Sequence, residues 1–304
     1  MRIAFIGQAA FGGAVLEVLA ADGQNEIVGV FAPLSKGHRD DPIVEVVKSL
    51  TLPLFQFASL KGLDAIEQFQ ALEPDLGVLA FVTQIVPMEI LGYPGKGTIQ
   101  YHPSLLPLHR GPSSINWPIV KGESETGLSI FWPDEGLDTG PLLLQKTVKI
   151  GPDDTLGVVY FQHLFPMGVD AMVEAVELVR QDRAPKTVQE EIRATYEGWF
   201  TAKEAAIDWS KPGADIYNLI RGSDPQPGAN STLDAQTVSF YDASFTDVET
   251  TQRAGAVVSI GQKIDVAVCG GTISIGRLRG AEGKVSGADF AKATGLREGV
   301  CFGT

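Results

Sequence analysis

Asp75–Phe81 reads DLGVLAF and Gly97–Tyr101 reads GTIQY, with a short helix expected between them at Pro87–Leu91. The first run is apolar at nearly every position, the pattern of a strand covered on both faces. Working outward, Arg2–Ile6 is expected as a strand, Gly7 to Gly13 as a turn and Ala14–Ala21 as a helix. Glu26–Ala32 (EIVGVFA) and Leu52–Phe55 add strands, and Ile43–Leu50 and Gly62–Leu72 add helices. Near-continuous apolar strands alternating with helices predict an α/β fold, a Rossmann-like, mostly parallel sheet with helices on both faces. Ligands bind such sheets beyond the carboxyl ends of the strands, so the loops after Ile6, Phe81 and Tyr101 become the candidate site.

Towards the C-terminus, Ser129–Trp132 and Leu142–Ile150 are expected as strands and Thr155–Arg180 as a long amphipathic helix. Periodicity then fades, and residues 184–206 are expected to be a linker crossing the surface. After it come a short helix, Ala214–Arg221, and brief β segments at Thr237–Tyr241, Ala256–Ile260, Ile264–Cys269 and Thr272–Arg277. Short strands separated by glycine and polar turns predict a small OB-like β-barrel. The expected organisation is a catalytic domain over 1–183, the linker, and the second domain over 207–304.

Composition narrows the function. Hydrophobic residues make up 44% and charged residues 20%, so both domains can bury a core. The net charge is −13, and residues 1–200 hold 14 basic against 25 acidic side chains. No basic stripe suited to a phosphate backbone is visible. Cys269 and Cys301 are the only cysteines and form neither a CxxC pair nor a Cys/His cluster. No disulfide framework and no metal site are therefore expected. The N-terminus lacks the pattern of a signal peptide, and no later run is expected to span a membrane, which predicts a cytoplasmic protein.

Three stretches carry the chemistry. Tyr101-His102-Pro103-Ser104-Leu105-Leu106-Pro107 ends a strand in a histidine, stiffened by two prolines and followed by Arg110-Gly111. Asp134-Glu135-Gly136-Leu137-Asp138-Thr139-Gly140 sets a carboxylate between glycines, which lets the backbone turn sharply and approach a ligand. A carboxylate beside an imidazole fixes its tautomer and can relay a proton. The third, Phe81-Val82-Thr83-Gln84-Ile85-Val86-Pro87-Met88, leaves a buried strand and enters a helix. Backbone N–H groups there can read a heterocycle edge while apolar side chains cover its faces. Each stretch read singly is equally an ordinary structural element. A dinucleotide fingerprint is absent, since the glycines from Gly7 to Gly13 do not follow GxGxxG.

Together, HPSLLPLHRGPSSINW and TGLSIFWPDEGLDTGPLLLQK resemble the formyltransferase superfamily, and IDWSKP with RGSDPQPGA resembles the second domain of its longer members. Within it, IGQAAFG, QIVPMEI, ATYEG and RGSDPQPGA look most similar to the amino-terminal hydrolase domain of 10-formyltetrahydrofolate dehydrogenases. The resemblance implies 10-formyltetrahydrofolate as formyl donor, with no metal. It implies His102 and Asp138 as catalytic groups, and Gln100 where the family's transfer motif has Asn. It also implies a folate site drawn from Phe81, Val82, Thr83, Gln84, Ile85, Met88, Ser104, Leu105, Arg110, Gly111, Asp134 and Gly136. The hydrolase domain also lacks Asn there, so hydrolysis to formate and tetrahydrofolate is the leading expectation. Because the sequence ends at Thr304, it is expected not to oxidise the formyl unit itself. Methionyl-tRNA formyl transfer, or transfer to a small amine, is the alternative. The tRNA is not expected, because the loop Pro33–Asp41 balances Lys36, His38 and Arg39 with Asp40 and Asp41. The sequence leaves the oligomeric state open.

Overall fold

The computed structural model describes residues 1–34, 40–248 and 250–303. The central part of the Pro33–Asp41 loop, with Lys36, His38 and Arg39, lies outside the described residues. The chain divides into two compact units. One comprises Met1–Gly111, Gly127–Val148 and His163–Tyr196, the other Pro112–Thr126, Lys149–Gln162 and Glu197–Thr304.

In chain order the first elements are β1 (Arg2–Gly7), α1 (Ala9–Ala21), β2 (Glu26–Ala32), α2 (Pro42–Ser49), β3 (Leu54–Gln56), α3 (Leu63–Ala71), β4 (Leu76–Ala80), α4 (Met88–Leu91) and β5 (Thr98–His102). They are followed by α5 (Asn116–Val120), β6 (Glu125–Phe131), β7 (Leu142–Lys149), α6 (Leu156–Val158), a π-helical turn (Val159–Leu164) and α7 (Phe165–Arg180). The sheet of the first unit runs β3-β2-β1-β4-β5-β6-β7, parallel from β3 to β5 and antiparallel at β5–β6. All five residues of β4 are buried, as its apolar run requires.

The helix after β1 begins at Ala9 instead of Ala14, and so absorbs the expected glycine turn. Packing is the reason. A β-carbon on Gly12 would lie 3.2 Å from the Ala80 carbonyl, and one on Gly13 would lie 3.1 Å from the Val46 side chain. Glycine here sets α1 close to its neighbours at the cost of some helix propensity. The run Leu156–Arg180 is apolar and long enough to cross a membrane, contrary to the expectation of no such run. Yet Ala171, Met172, Ala175, Val176 and Val179 of α7 are buried in the core they share with Phe11 and Tyr101.

The second unit contains α8 (Gly213–Gly222), β8 (Ala229–Leu233), β9 (Gln236–Thr246), β10 (Val257–Ile260), β11 (Ile264–Val268), β12 (Gly271–Gly280), β13 (Gly283–Ser286) and α9 (Gly287–Thr294). Its sheet is antiparallel, ordered β10-β11-β12-β9-β8, with β13 paired to β12. Ile216, Tyr217 and Ile220 of α8 pack with Phe240, Ile273, Ile275 and Phe302 in its core. The segment after β7 is tied into this unit: Tyr217 Oη donates to Asp153 (2.8 Å) and buried Arg221 donates to the Asp154 carbonyl (3.0 Å). Burial first, and the Asp153 carboxylate second, push the Tyr217 phenol above its ordinary value, so it stays a donor.

Candidate active site

The site is built at the carboxyl end of β5. Tyr101 turns its ring onto Phe11 of α1, with centroids 4.3 Å apart. Because side chains alternate along a strand, Gln100 and His102 leave from the opposite face. Gln100 is half-buried at the register position between Leu79 of β4 and Phe131 of β6. His102 is 6% exposed.

Two contacts fix the imidazole. Its Nε2 lies 2.9 Å from the His109 carbonyl, an acceptor only, so Nε2 carries a proton. Its Nδ1 faces Asp138 Oδ2 at 3.6 Å, longer than a hydrogen bond and within ion-pair reach. The same Oδ2 accepts from the Gly111 N–H at 2.8 Å. A proton gained by Nδ1 therefore sits against a carboxylate already held in place. This is the arrangement of an acid–base pair, and catalytic contacts are commonly long without substrate.

The backbone around the pair is unusual. Asp138 has φ +56° and His109 has φ +55°, in the left-handed region that ordinary side chains avoid. The sharp turn assigned to the flanking glycines thus falls on Asp138 itself. Gly140 serves close packing instead, since a β-carbon there would overlap the Trp132 carbonyl.

The remaining expected residues separate into groups. The Ser104 hydroxyl is fully buried and donates to the Leu108 carbonyl (2.7 Å), while Leu105 packs over Gly127. Asp134 accepts from Gly136 N and Thr139 Oγ1 in an exposed turn. Phe81, Ile85 and Met88 are exposed, Ile85 by 72%. Met88 lines an open cleft of about 330 Å³ together with Gly92, Gly97, Trp132, Pro133 and Lys186. Lys186 Nζ lies 4.6 Å over the Trp132 ring, a cation–π contact. Val82 and Gln84 line a different, narrower cleft with Gly7, Gln8, Phe31 and Phe57, and Thr83 donates to Gln8 (3.2 Å).

Arg110 is fully buried, and its donors are committed inside the fold. It reaches Gln189 Oε1 (2.9 Å), both Glu191 carboxylate oxygens (2.9 Å each) and Tyr196 Oη (2.6 Å). The bond to Arg110 holds the Glu191 carboxyl below the usual glutamate range. That contact is complete at neutral pH and is lost only as pH falls through the lowered value. Gln189, Glu191, Thr195 and Tyr196 were not among the expected site residues. Their stretch has no helix or strand period, and ATYEG pointed to a resemblance but to no role.

Residues 1–176 match the family described as formyl transferase, and residues 200–294 match the formyl transferase C-terminal domain. Cytosolic 10-formyltetrahydrofolate dehydrogenase of Xenopus laevis is 42% identical over 251 residues, covering 81% of this chain and 28% of that protein. The human cytosolic enzyme is 43% identical over 250 residues, with 81% and 28% covered. The chain thus spans little more than a quarter of these relatives. Methionyl-tRNA formyltransferase of Pelotomaculum thermopropionicum is 32% identical over 312 residues, covering 100% of this chain and 99% of that one. Among solved structures, HypX from Aquifex aeolicus in complex with tetrahydrofolic acid has a TM-score of 0.68 at 18% identity, covering all of this chain and 50% of that one. An N-formyltransferase from Helicobacter canadensis, with folinic acid and dTDP-3-aminofucose, has a TM-score of 0.68 at 15% identity, with 90% and 98% covered. These two likenesses bear on the fold alone.

Proposed function

Since this chain belongs to the formyl transferase family, we propose that it removes the formyl group of 10-formyltetrahydrofolate, with water as acceptor, using His102 and Asp138. The carrying observation is the buried pair itself, with Nδ1 and Oδ2 3.6 Å apart at the carboxyl end of β5. The pterin is assigned to the cleft beside Met88, Gly97 and Trp132, whose volume is in the range of small-molecule sites. This reading requires the formyl group to reach His102 from that cleft.

Water adds to the formyl carbon and gives up a proton to Asp138, leaving a negative oxygen on a tetrahedral carbon. The imidazole of His102 and the Gln100 amide N–H₂ stabilise that oxygen. Collapse breaks the C–N10 bond, N10 takes the proton that Asp138 received, and tetrahydrofolate leaves with formic acid, which gives its remaining proton to solvent and becomes formate. One further observation supports water: the first N–H of α1, a natural site for an acceptor's phosphate, donates to Asp41 at 2.7 Å.

The second reading is methionyl-tRNA formyl transfer, which the full-length match to the Pelotomaculum enzyme favours. The two separate in one assay: release of tetrahydrofolate and formate from 10-formyltetrahydrofolate, with and without methionyl initiator tRNA. Release in buffer alone supports hydrolysis. Release only with the tRNA, with the formyl group found on its methionine, overturns it.

Gln100→Asn tests the acceptor directly. It withdraws the same amide by one methylene, opening space next to the formyl carbon. The variant is expected to shift product from formate towards a formylated amine when a small primary amine is supplied. Mass spectrometry reads the ratio. An unchanged ratio would remove Gln100 from the choice of acceptor.

A further inference from the structure

We propose that Gln189 and Thr195 are positioning residues for the catalytic pair, which makes the aperiodic segment 187–196 the frame that holds both halves of the site. The proposal rests on the reading of His102 and Asp138 as catalytic. Asp138 sits on a loop whose φ of +56° is unfavourable in isolation. The buried Gln189 side chain reaches into that loop, and its Nε2 donates to the carbonyls of Asp138 (2.9 Å) and Gly140 (2.7 Å). The amide cannot rotate to offer its oxygen there, because Arg110 Nη2 and Nε donate to Oε1 at 2.9 and 3.3 Å. Arg110 in turn is held by Glu191 and Tyr196 of the same segment. An arginine at the foot of the histidine motif thus fixes which end of Gln189 faces the aspartate.

Thr195 acts on the other half. Its Oγ1 accepts from His109 N (2.8 Å), and its carbonyl accepts from Arg110 N (3.0 Å). Its own N–H donates to the Pro107 carbonyl (3.1 Å). These bonds hold His109 in its left-handed conformation, and the His109 carbonyl is the acceptor that orients His102. Displacements of about 1 Å at reacting groups cost on the order of 100-fold in rate. Both side chains are therefore coupled to chemistry without touching the substrate.

Gln189→Glu separates this role from a structural one. It keeps the shape and gives Arg110 a charged partner, but it turns an oxygen towards two carbonyls. The proposal expects kcat for tetrahydrofolate release to fall about 10- to 100-fold. Tetrahydrofolate affinity stays within about threefold, which a general loss of structure would not allow, while the melting temperature falls because two carbonyls lose their donor. Thr195→Val, which removes only the side-chain acceptor, is expected to lower kcat several-fold, and Thr195→Ser to restore it. If both Gln189→Glu and Thr195→Val keep wild-type kcat while Asp138→Asn stalls turnover, the positioning role is wrong and the pair stands. If Asp138→Asn itself turns over normally, the catalytic reading fails and the positioning role falls with it. A loss of kcat that serine at 195 does not restore also overturns it. Should Gln189→Glu not fold, the Thr195 pair decides alone.

Discussion

His102→Ala is expected to lower tetrahydrofolate release by about 10²- to 10⁴-fold, the range spanned by losing a general acid–base group or an oxyanion donor. The imidazole is almost wholly enclosed, with one nitrogen spent on the His109 carbonyl. Its other nitrogen faces Asp138 at 3.6 Å, longer than a hydrogen bond, and is the one that can meet a formyl oxygen. Alanine removes that contact and leaves the His109 carbonyl short of a donor, a cost on the order of 1–3 kcal/mol in stability. The folate itself is expected to bind within a few-fold of wild type, because the pterin is assigned to the cleft beside Trp132, lined by other residues. The readout is single-turnover release alongside equilibrium binding of tetrahydrofolate. Added imidazole should restore part of the rate by refilling the space. Wild-type turnover in this variant would take His102 out of the mechanism.

The parallel sheet was legible because apolar strands alternate with helices, whereas the nearness of His102 to Asp138 followed from no spacing rule and was expected only from the resemblance of their two stretches to a family. What the sequence concealed follows from how each feature is encoded. Gly12 and Gly13 look like a turn, yet they are helical because α1 must approach Ala80 and Val46. Arg110 looks like a ligand-binding cation beside a catalytic histidine, whereas the fold consumes its donors. Residues 184–196 look like a linker because side-chain-to-backbone bonds, unlike buried faces, impose no period. Gln189 and Thr195 reach partners about 50 and 86 positions away. The second sheet was expected from its short strands, but β8, β13 and α9 went unread, and β9 runs to Thr246 where a strand ending at Tyr241 was expected.

Asp138→Asn is expected to reduce turnover at least as strongly as His102→Ala, and for a more specific reason. In the proposed mechanism the carboxylate does two things: it takes the proton of the attacking water, and it sets a negative charge 3.6 Å from Nδ1 of His102. Asparagine does neither. Its oxygen can still accept from Gly111 N, and because that same position faces Nδ1 of His102, the shape of the contact is kept without its charge. Base and negative charge are thus lost together, and the expected fall is about 10³-fold or more. The choice of asparagine matters because Asp138 lies at φ +56°. Asparagine tolerates the left-handed region as aspartate does, whereas alanine would add backbone strain and confuse a folding effect with a chemical one. With the backbone kept, the melting temperature should stay close to wild type while formate release collapses. Formate release at the wild-type rate would mean that the 3.6 Å pair is a structural contact and that the water is activated elsewhere.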